Sequence, residues 1–556
     1  MADNYDQYSK AELLRLLRER DRKPKFGLVW ERDEIEHDKS LNDDFVALDF
    51  DPALSCGDAP FENLIIEGDN FDALRYLRMT HAGRVNCIYI DPPYNTGNRD
   101  FIYNDRFVDK DDAYRHSKWL EFMYRRLTLA KDLLAIDALI CVSIDDNEIG
   151  NLLLLMDMVF GASNRLACAP WLAEPSGGKE KTGLRGGHEY ILIYHNGDSS
   201  SISREERSTG KLDKKDSLGA YRKGRELRKW GGTSLRIDRP KQWFPLTVPT
   251  GEIVYPHRND GKEGHWRWGK DQKMRGIIAN PELAHWERCP YDDGLIINGE
   301  TDRWVPFEKI RDSKKTTGWG TWLDSVGFNS DATRELKDIF GEKPFDTPKP
   351  TSLIEWLISL HADEDALVVD FFAGSGTTAH AVMKLNAEDC GKRRFILVSS
   401  TEATGEAPDK NLCRDVCAER VRRVAQGYTN KKGEAVEGLG GAFAYLRTKR
   451  IPVSRVFNDM QHEQVWRALQ LIHGMPLTGY DQSVLVQLSG NADDRLVYVP
   501  KLSEAVLEEV ARVAGLGGRL VVYSWQPGQI RQRVEASNVA FERIPEFLVS
   551  RFGGGK

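Results

Sequence analysis

Residues 366–386 read ALVVDFFAGSGTTAHAVMKLN, and no other stretch restricts the fold as much. The run ALVV is too uniformly apolar to have a wet face, so it predicts a strand covered on both sides. It passes into FAGSG, where Gly374 and Gly376 allow backbone conformations closed to other residues. TTAHAVMKLN then starts a helix. Strand, glycine loop and helix in that order make one βα unit of an open parallel sheet. The first N–H groups of such a helix face a ligand. The loop lacks the lysine of a GxxxxGK[ST] phosphate loop and the third glycine of a dinucleotide fingerprint. It therefore predicts a site for a small anionic or zwitterionic ligand. Glu402, after the next strand RRFILVSST, is the candidate to hold a ribose.

The alternation recurs. ENLIIEGDNFDALRYL (62–77) reads as strand, tight turn and helix, and RVNCIYIDPPY (84–94) as a buried strand. SKWLEFMYRRLTLAKDLL (117–134) has helical periodicity. ALICVSIDDNE (138–148) is a third strand, with a helix after it through about 160, and HEYILIYHNG (188–197) is one more strand. FDTPKPTSLIEWLISLH (345–361) reads as turn and helix. The expected class is α/β, a doubly wound and mostly parallel sheet. After about 440 the pattern restarts, predicting a small separate α/β domain. An amphipathic helix is expected at 9–22, where Ser9 and Glu12 form a capping box.

Between 198 and 340 periodicity fades, and Trp, Gly, Arg and Lys interleave. Residues 201–280 carry 19 Lys and Arg against 10 Asp and Glu, whereas the whole chain has a net charge of −7. A basic segment on an acidic body predicts one surface that faces polyanions. Its tryptophans, Trp230, Trp243, Trp266 and Trp268, are expected to build the segment's own core. No apolar run reaches the roughly 18 residues of a membrane span. The start MADNYDQYSK has neither the basic nor the apolar region of a signal peptide. Of the eight cysteines, Cys413 and Cys417 lie one helical turn apart without a second pair, so they read as packed thiols rather than metal ligands. The expectation is a soluble, reduced, intracellular protein without a metal.

The stretch IYIDPPYNTGNRDF (89–102) carries the chemistry. Its strand delivers Asp91 to the edge where open α/β sheets bind ligands. Pro92 and Pro93 fix φ and remove two N–H donors. Tyr94 follows as a rigid aromatic plane. Together they offer acceptors for an exocyclic amino group and a ring on which a flat heterocycle stacks.

DPPY (91–94) with DFFAGSGTT (370–378) resembles the exocyclic-amino DNA methyltransferases that use S-adenosylmethionine. The catalytic motif precedes the glycine loop by 279 residues, an order similar to the circularly permuted β class. SIDDNE, HEYILIY, VYPHRNDGKEGHWRWGK and FDTPKP further resemble the modification subunits of Type III restriction systems and their solitary relatives. The likeness covers roughly 60–430. It implies a class I methyltransferase fold and methylation of adenine N6 in double-stranded DNA by base flipping. Asp91 and the Pro92 carbonyl would accept hydrogen bonds from the amino group, Pro93 would stiffen the turn, and Tyr94 would stack on the base. Asp370, Phe372, Ala373, Gly374, Ser375, Gly376 and Thr377 would line the cofactor pocket, with Asp346, Lys349 and Asp69 as further cofactor-facing positions. His188 and Glu189 would brace the sheet end near the base. The loop NTGNRDF would lie over base or cofactor, with Asn95 and Arg99 toward DNA, and Lys229 and Arg267 would meet DNA from the basic segment. The resemblance implies a bacterial, cytoplasmic, nucleoid-associated homodimer; no Walker A or nuclease constellation is visible in this chain, so if restriction occurs a separate helicase and nuclease subunit would supply ATP hydrolysis and cleavage.

Alternatives stay open at this point. They are N4-cytosine methylation, a catalytically inactive DNA-binding specificity subunit, and methyltransferases of protein glutamine or of RNA. A nicotinamide oxidoreductase is disfavoured by the missing third glycine. The expected divisions are an N-terminal arm (1–60), a catalytic half (61–197), a target-recognition insertion (198–340), a cofactor half (341–435) and a C-terminal α/β domain (440–556).

Overall fold

Along Val85–Ile90 the successive side chains Cys87, Ile88, Tyr89 and Ile90 are all at most 2% exposed. Alternate residues of a strand face opposite ways, so both faces of the sheet are covered. In this computed structural model the described residues are 9–10, 30, 42–97, 101–103, 106–107, 112–178, 180–181, 183–197, 202–271, 274–361, 363–403, 407–534 and 536–553. The helix expected at 9–22 falls almost wholly outside them, and Arg99 falls outside as well.

The chain forms two compact units, Met1–Ser203 with Gly320–Lys556, and Arg204–Trp319. The first is built on nine strands: β1 (Phe45–Cys56), β2 (Asn63–Glu67), β3 (Val85–Ile90), β4 (Leu134–Ile144), β5 (Arg165–Leu172), β6 (His188–His195), β7 (Leu367–Asp370), β8 (Arg394–Ser399) and β9 (Phe443–Ile451). They lie in the order β1-β9-β2-β8-β7-β3-β4-β6-β5. From β9 through β4 all neighbours run parallel. The strands β6 and β1 run antiparallel to theirs, which makes the sheet mixed. The helix Asn70–His81 packs on Arg115–Leu133, and Thr351–Ser359 packs on Thr377–Asp389.

Three strands were not legible. β1 carries Asp49, Asp51 and Pro52, which break the apolar pattern; it lies on an edge and shifts register between Asp51 and Cys56. β5 contains Pro170, which an edge strand tolerates. β9 has Arg447, Lys449 and Arg450 in an interior position. Their heads reach acids at the rim: Arg447 meets Asp51 and, at 3.2 Å, Glu67, and Arg450 meets Asp72 at 2.6 Å. Long cationic side chains cover apolar surface while their charges sit in polar company.

β9 also moves the expected boundary at 435–440, since Phe443–Ile451 belongs to the central sheet. The later strands Gln487–Gly490, Asp494–Val499, Arg519–Ser524 and Val539–Arg543 form their own four-stranded sheet. It is joined to the main body. The final helix, Glu546–Phe552, packs Phe552 against Phe45 with ring centres 4.8 Å apart and donates from Arg551 Nε to the Met79 carbonyl at 2.7 Å.

The unit Arg204–Trp319 has an antiparallel sheet of Lys214–Asp216, Gly219–Glu226, Asp302–Ile310 and Ala284–Pro290. Its small core gathers Leu227, Phe244, Leu246, Trp266, Met274 and Ala284, with Trp268 against it. Trp243 stacks on Tyr255 at 5.1 Å, whereas Trp230 is half-exposed beneath the Arg228 guanidinium.

Candidate active site

β3 and β7 are parallel neighbours with Ile88 opposite Val369. Two segments 279 residues apart therefore leave the sheet side by side, Asp91 from one strand and Asp370 from the other. Both strands end there because the chain leaves extended geometry, one into two prolines and the other into a glycine loop.

Asp91 Oδ2 accepts a hydrogen bond from Lys349 Nζ at 2.9 Å. Its Oδ1 is buried and has no partner among the described residues. Burial raises the Asp91 carboxyl above the usual carboxylate range; Lys349 and, to a lesser degree, the Tyr94 hydroxyl oppose that, and Glu189 adds to it. Burial pulls the Lys349 ammonium down, but Asp91 and Glu189 outweigh it and hold the group above the usual lysine range. The Tyr94 hydroxyl donates to Glu189 Oε2 at 2.8 Å. Burial, reinforced by the Asp91 and Glu189 carboxylates, keeps that phenol protonated. The Pro93 carbonyl accepts from Trp119 Nε1 at 2.7 Å, which pins the second half of the turn.

Asn95, expected toward DNA, is instead fully buried and adopts the left-handed conformation at φ 57°. Its Nδ2 donates to Glu148 Oε1 at 2.6 Å. The same oxygen lies 2.6 Å from His116 Nδ1, and Asn151 Nδ2 donates to Glu148 Oε2 at 2.7 Å. Asparagine tolerates this backbone region, and its side chain supplies the anchor that holds it there. Asn95 is thus a clamp for the loop rather than a surface contact.

The glycine loop is braced from behind. Gly374 and Gly376 have φ of 49° and 77°. Gly376 caps the helix Thr377–Asp389 with no side-chain cap, and a Cβ there would lie 3.0 Å from the Cys417 carbonyl. Asp370 Oδ1 accepts from the Phe372 N–H at 3.0 Å and Oδ2 from Thr378 Oγ1 at 2.5 Å. Burial pushes its carboxyl up to about 7. The fully buried Arg420 donates to Ser375 Oγ at 3.1 Å and Thr377 Oγ1 at 2.7 Å. Burial draws Arg420 down to about 10, so it stays cationic at neutral pH. Phe372 packs near Phe371 and Phe122, and the Phe371 carbonyl accepts from Asn70 Nδ2 at 3.0 Å. Arg126 Nε holds the Asn70 oxygen at 2.5 Å. Cys413 and Cys417 are both buried thiols in this packing.

The more distant expectations divide. Lys349 turns toward the Asp91 carboxylate. Asp69 N-caps the helix Asn70–His81, accepting from Phe71 N–H at 2.8 Å. The Asp346 side chain is 99% exposed, 3.7 Å from Lys343 Nζ. Glu402 sits at φ 52° and pairs with Lys410 at 2.7 Å. His188 bonds Tyr190 at 2.9 Å. Within the basic unit, Arg267 Nε donates to the Glu226 and Arg228 carbonyls at 2.9 and 3.3 Å, an internal brace, while Lys229 is half-buried. Sequence reasoning missed Glu148, Asn70, Arg126, Trp119 and Arg420 as supports. Trp119 and Arg126 lie in a helix that periodicity predicted and Glu148 in the polar run SIDDNE, but nothing local marks any of the five as a support for the site.

The sequence profile of the DNA methylase family matches residues 85–403. The chain is 35% identical over 384 residues to the Type III restriction-modification enzyme EcoPI Mod subunit of Escherichia phage P1, covering 61% of this chain and 58% of that one. It is 34% identical over 399 residues to the StyLTI Mod subunit of Salmonella typhimurium, covering 65% and 57%. It is 36% identical over 347 residues to the Type II methyltransferase M.KpnI of Klebsiella pneumoniae, covering 60% and 79%. The chain thus spans less than two thirds of the length of either Mod subunit. The profile match runs from the strand that ends at Asp91, through the glycine loop, to the strand after it, and occupies more than half of the chain; this protein belongs to the N6/N4 DNA methylase family.

Proposed function

We propose that the protein is a site-specific DNA methyltransferase that methylates the N6 amino group of adenine using S-adenosylmethionine. The observation that carries the reading is the buried Oδ1 of Asp91, which has no hydrogen-bond partner among the described residues, at the sheet edge it shares with the glycine loop. A buried acceptor without a donor costs about 1–3 kcal/mol, and an incoming N–H group removes that cost. When bound, S-adenosylmethionine supplies an electrophilic methyl on its sulfonium. The loop fits such a ligand: Gly374 and Gly376 bring backbone close, and the helix starting at Thr377 has uncapped N–H groups suited to a carboxylate. Ser375, Thr377 and Asp370 shape this loop from behind through Arg420 and Thr378.

On the other side, Asp91 Oδ1 and the Pro92 carbonyl accept hydrogen bonds from the two N–H groups of the amino group. That turns the nitrogen lone pair toward the electrophile, so positioning rather than acid–base chemistry supplies most of the acceleration. Tyr94 holds the flipped base by its face. The order of motifs supports a circularly permuted methyltransferase fold, and the charge of 201–280 supports the unit Arg204–Trp319 as the target-recognition insertion. Likeness to Mod subunits supports work within a restriction-modification system, as a dimer beside a separate restriction subunit.

Asp91→Ala tests the assignment. Methyl transfer to DNA should fall by at least about 100-fold while S-adenosylmethionine affinity is kept, because the variant loses an interaction needed only in the reacting complex. Transfer at the wild-type rate would contradict it.

A further inference from the structure

Lys349 is two residues before the helix Thr351–Ser359, and only 7% of its side chain is exposed. Its Nζ lies 2.9 Å from Asp91 Oδ2, 3.4 Å from Glu189 Oε2 and 4.9 Å from the centre of the Tyr94 ring. The Tyr94 hydroxyl donates to that same Glu189 oxygen at 2.8 Å. These contacts close a ring. One side is the chain from Asp91 to Tyr94, stiffened by two prolines. The other side is Lys349 and Glu189, drawn from two distant segments.

We infer that Lys349 and Glu189 are positioning residues for the proposed methyl transfer. Lys349 occupies Asp91 Oδ2 and leaves Oδ1, which has no partner among the described residues, as the acceptor for the amino group, and Glu189 fixes the Tyr94 ring through its hydroxyl. The inference rests on the reading of Asp91 as the acceptor for the target amino group. It replaces the expectation that Lys349 faces the cofactor.

The electrostatics follow the same geometry. Asp91 accepts hydrogen bonds most strongly as an anion, and its side chain is largely but not wholly buried. The groups that bear on it are Lys349, Glu189, Tyr94, Tyr89 and Asp370, and Lys349 is the one cation among them. Removing the lysine disfavours the carboxylate, and removing the Glu189 charge favours it. Activity that depends on ionised Asp91 is lost as pH falls through its pKa. The acid limb therefore moves to higher pH without Lys349 and to lower pH without the Glu189 charge. A role confined to packing moves neither limb.

The experiment uses the full chain carrying Lys349→Met, Lys349→Arg, Glu189→Gln or, in parallel, Asp91→Ala. The rate of methyl transfer to DNA under saturating substrates is measured against pH, S-adenosylmethionine binding is titrated separately, and folding is checked by thermal melting. Lys349→Met should raise the acid limb by about one pH unit or more. Lys349→Arg should restore most of the rate, Glu189→Gln should shift the limb the opposite way, and cofactor affinity should hold throughout. Coincident acid limbs in Glu189→Gln and wild type would overturn the inference, even if Lys349→Met did not fold. A loss of cofactor affinity in Lys349→Met large enough to explain its rate would overturn it as well. Retained transfer in Asp91→Ala would instead remove the reading beneath it.

Discussion

Asp370 keeps both carboxylate oxygens occupied, one by the Phe372 N–H and one by the Thr378 hydroxyl, and yet burial pushes it up to about 7. The consequence for stability has a definite sign. In the unfolded chain the group titrates near its ordinary value of 3.8, so between about 4 and 7 the folded state holds a proton that the unfolded state has released. Its contribution is fully present below that range and is lost as pH rises through it, by up to about 4 kcal/mol. Asp370→Asn, which cannot ionise, should gain stability relative to wild type as pH rises from 5 to 7.5. Urea unfolding at both pH values checks this; a difference between the two proteins that does not change with pH contradicts it.

The strand-to-loop junction after β3 shows how two chemistries share one turn. Pro92 and Pro93 restrict it from within, while Trp119, Glu148 and Glu189 hold Pro93, Asn95 and Tyr94 from outside. Glu148→Ala should release Asn95 from φ 57°, cost about 1–3 kcal/mol through the lost buried bonds, and slow turnover more than it weakens cofactor binding. Glu148→Gln, which retains an acceptor for Asn95, should recover part of the rate. Equal turnover in the alanine variant and wild type would show that the clamp is dispensable. The junction itself was legible in the sequence, since strand, prolines and tyrosine are contiguous. Its clamps were not, because Asn95 and Glu148 are 53 positions apart and Tyr94 and Glu189 are 95 apart. For the same reason Asn95 reads as a loop residue available to DNA until the buried carboxylate opposite it is seen. β1, β5 and β9 escaped because edge positions and rim ion pairs accommodate charges and prolines that an isolated pattern treats as breaks.

At the scale of the molecule, the sheet order places β7 beside β3 although the sequence separates them by almost half its length. That adjacency turns two motifs into one site, and it leaves the Arg204–Trp319 unit as a detour between them. The C-terminal segment is part of the body, because Phe552 and Arg551 fasten its last helix to β1 and the helix Asn70–His81. The central claim, that this edge methylates an adenine amino group, meets its most direct test in the nucleosides of DNA treated with the purified chain and S-adenosylmethionine carrying an isotopic methyl. After complete digestion and mass spectrometry, the label should be found in N6-methyladenine and be absent with Asp91→Ala. Label in N4-methylcytosine, or in no nucleoside while the protein binds the cofactor, would contradict the account.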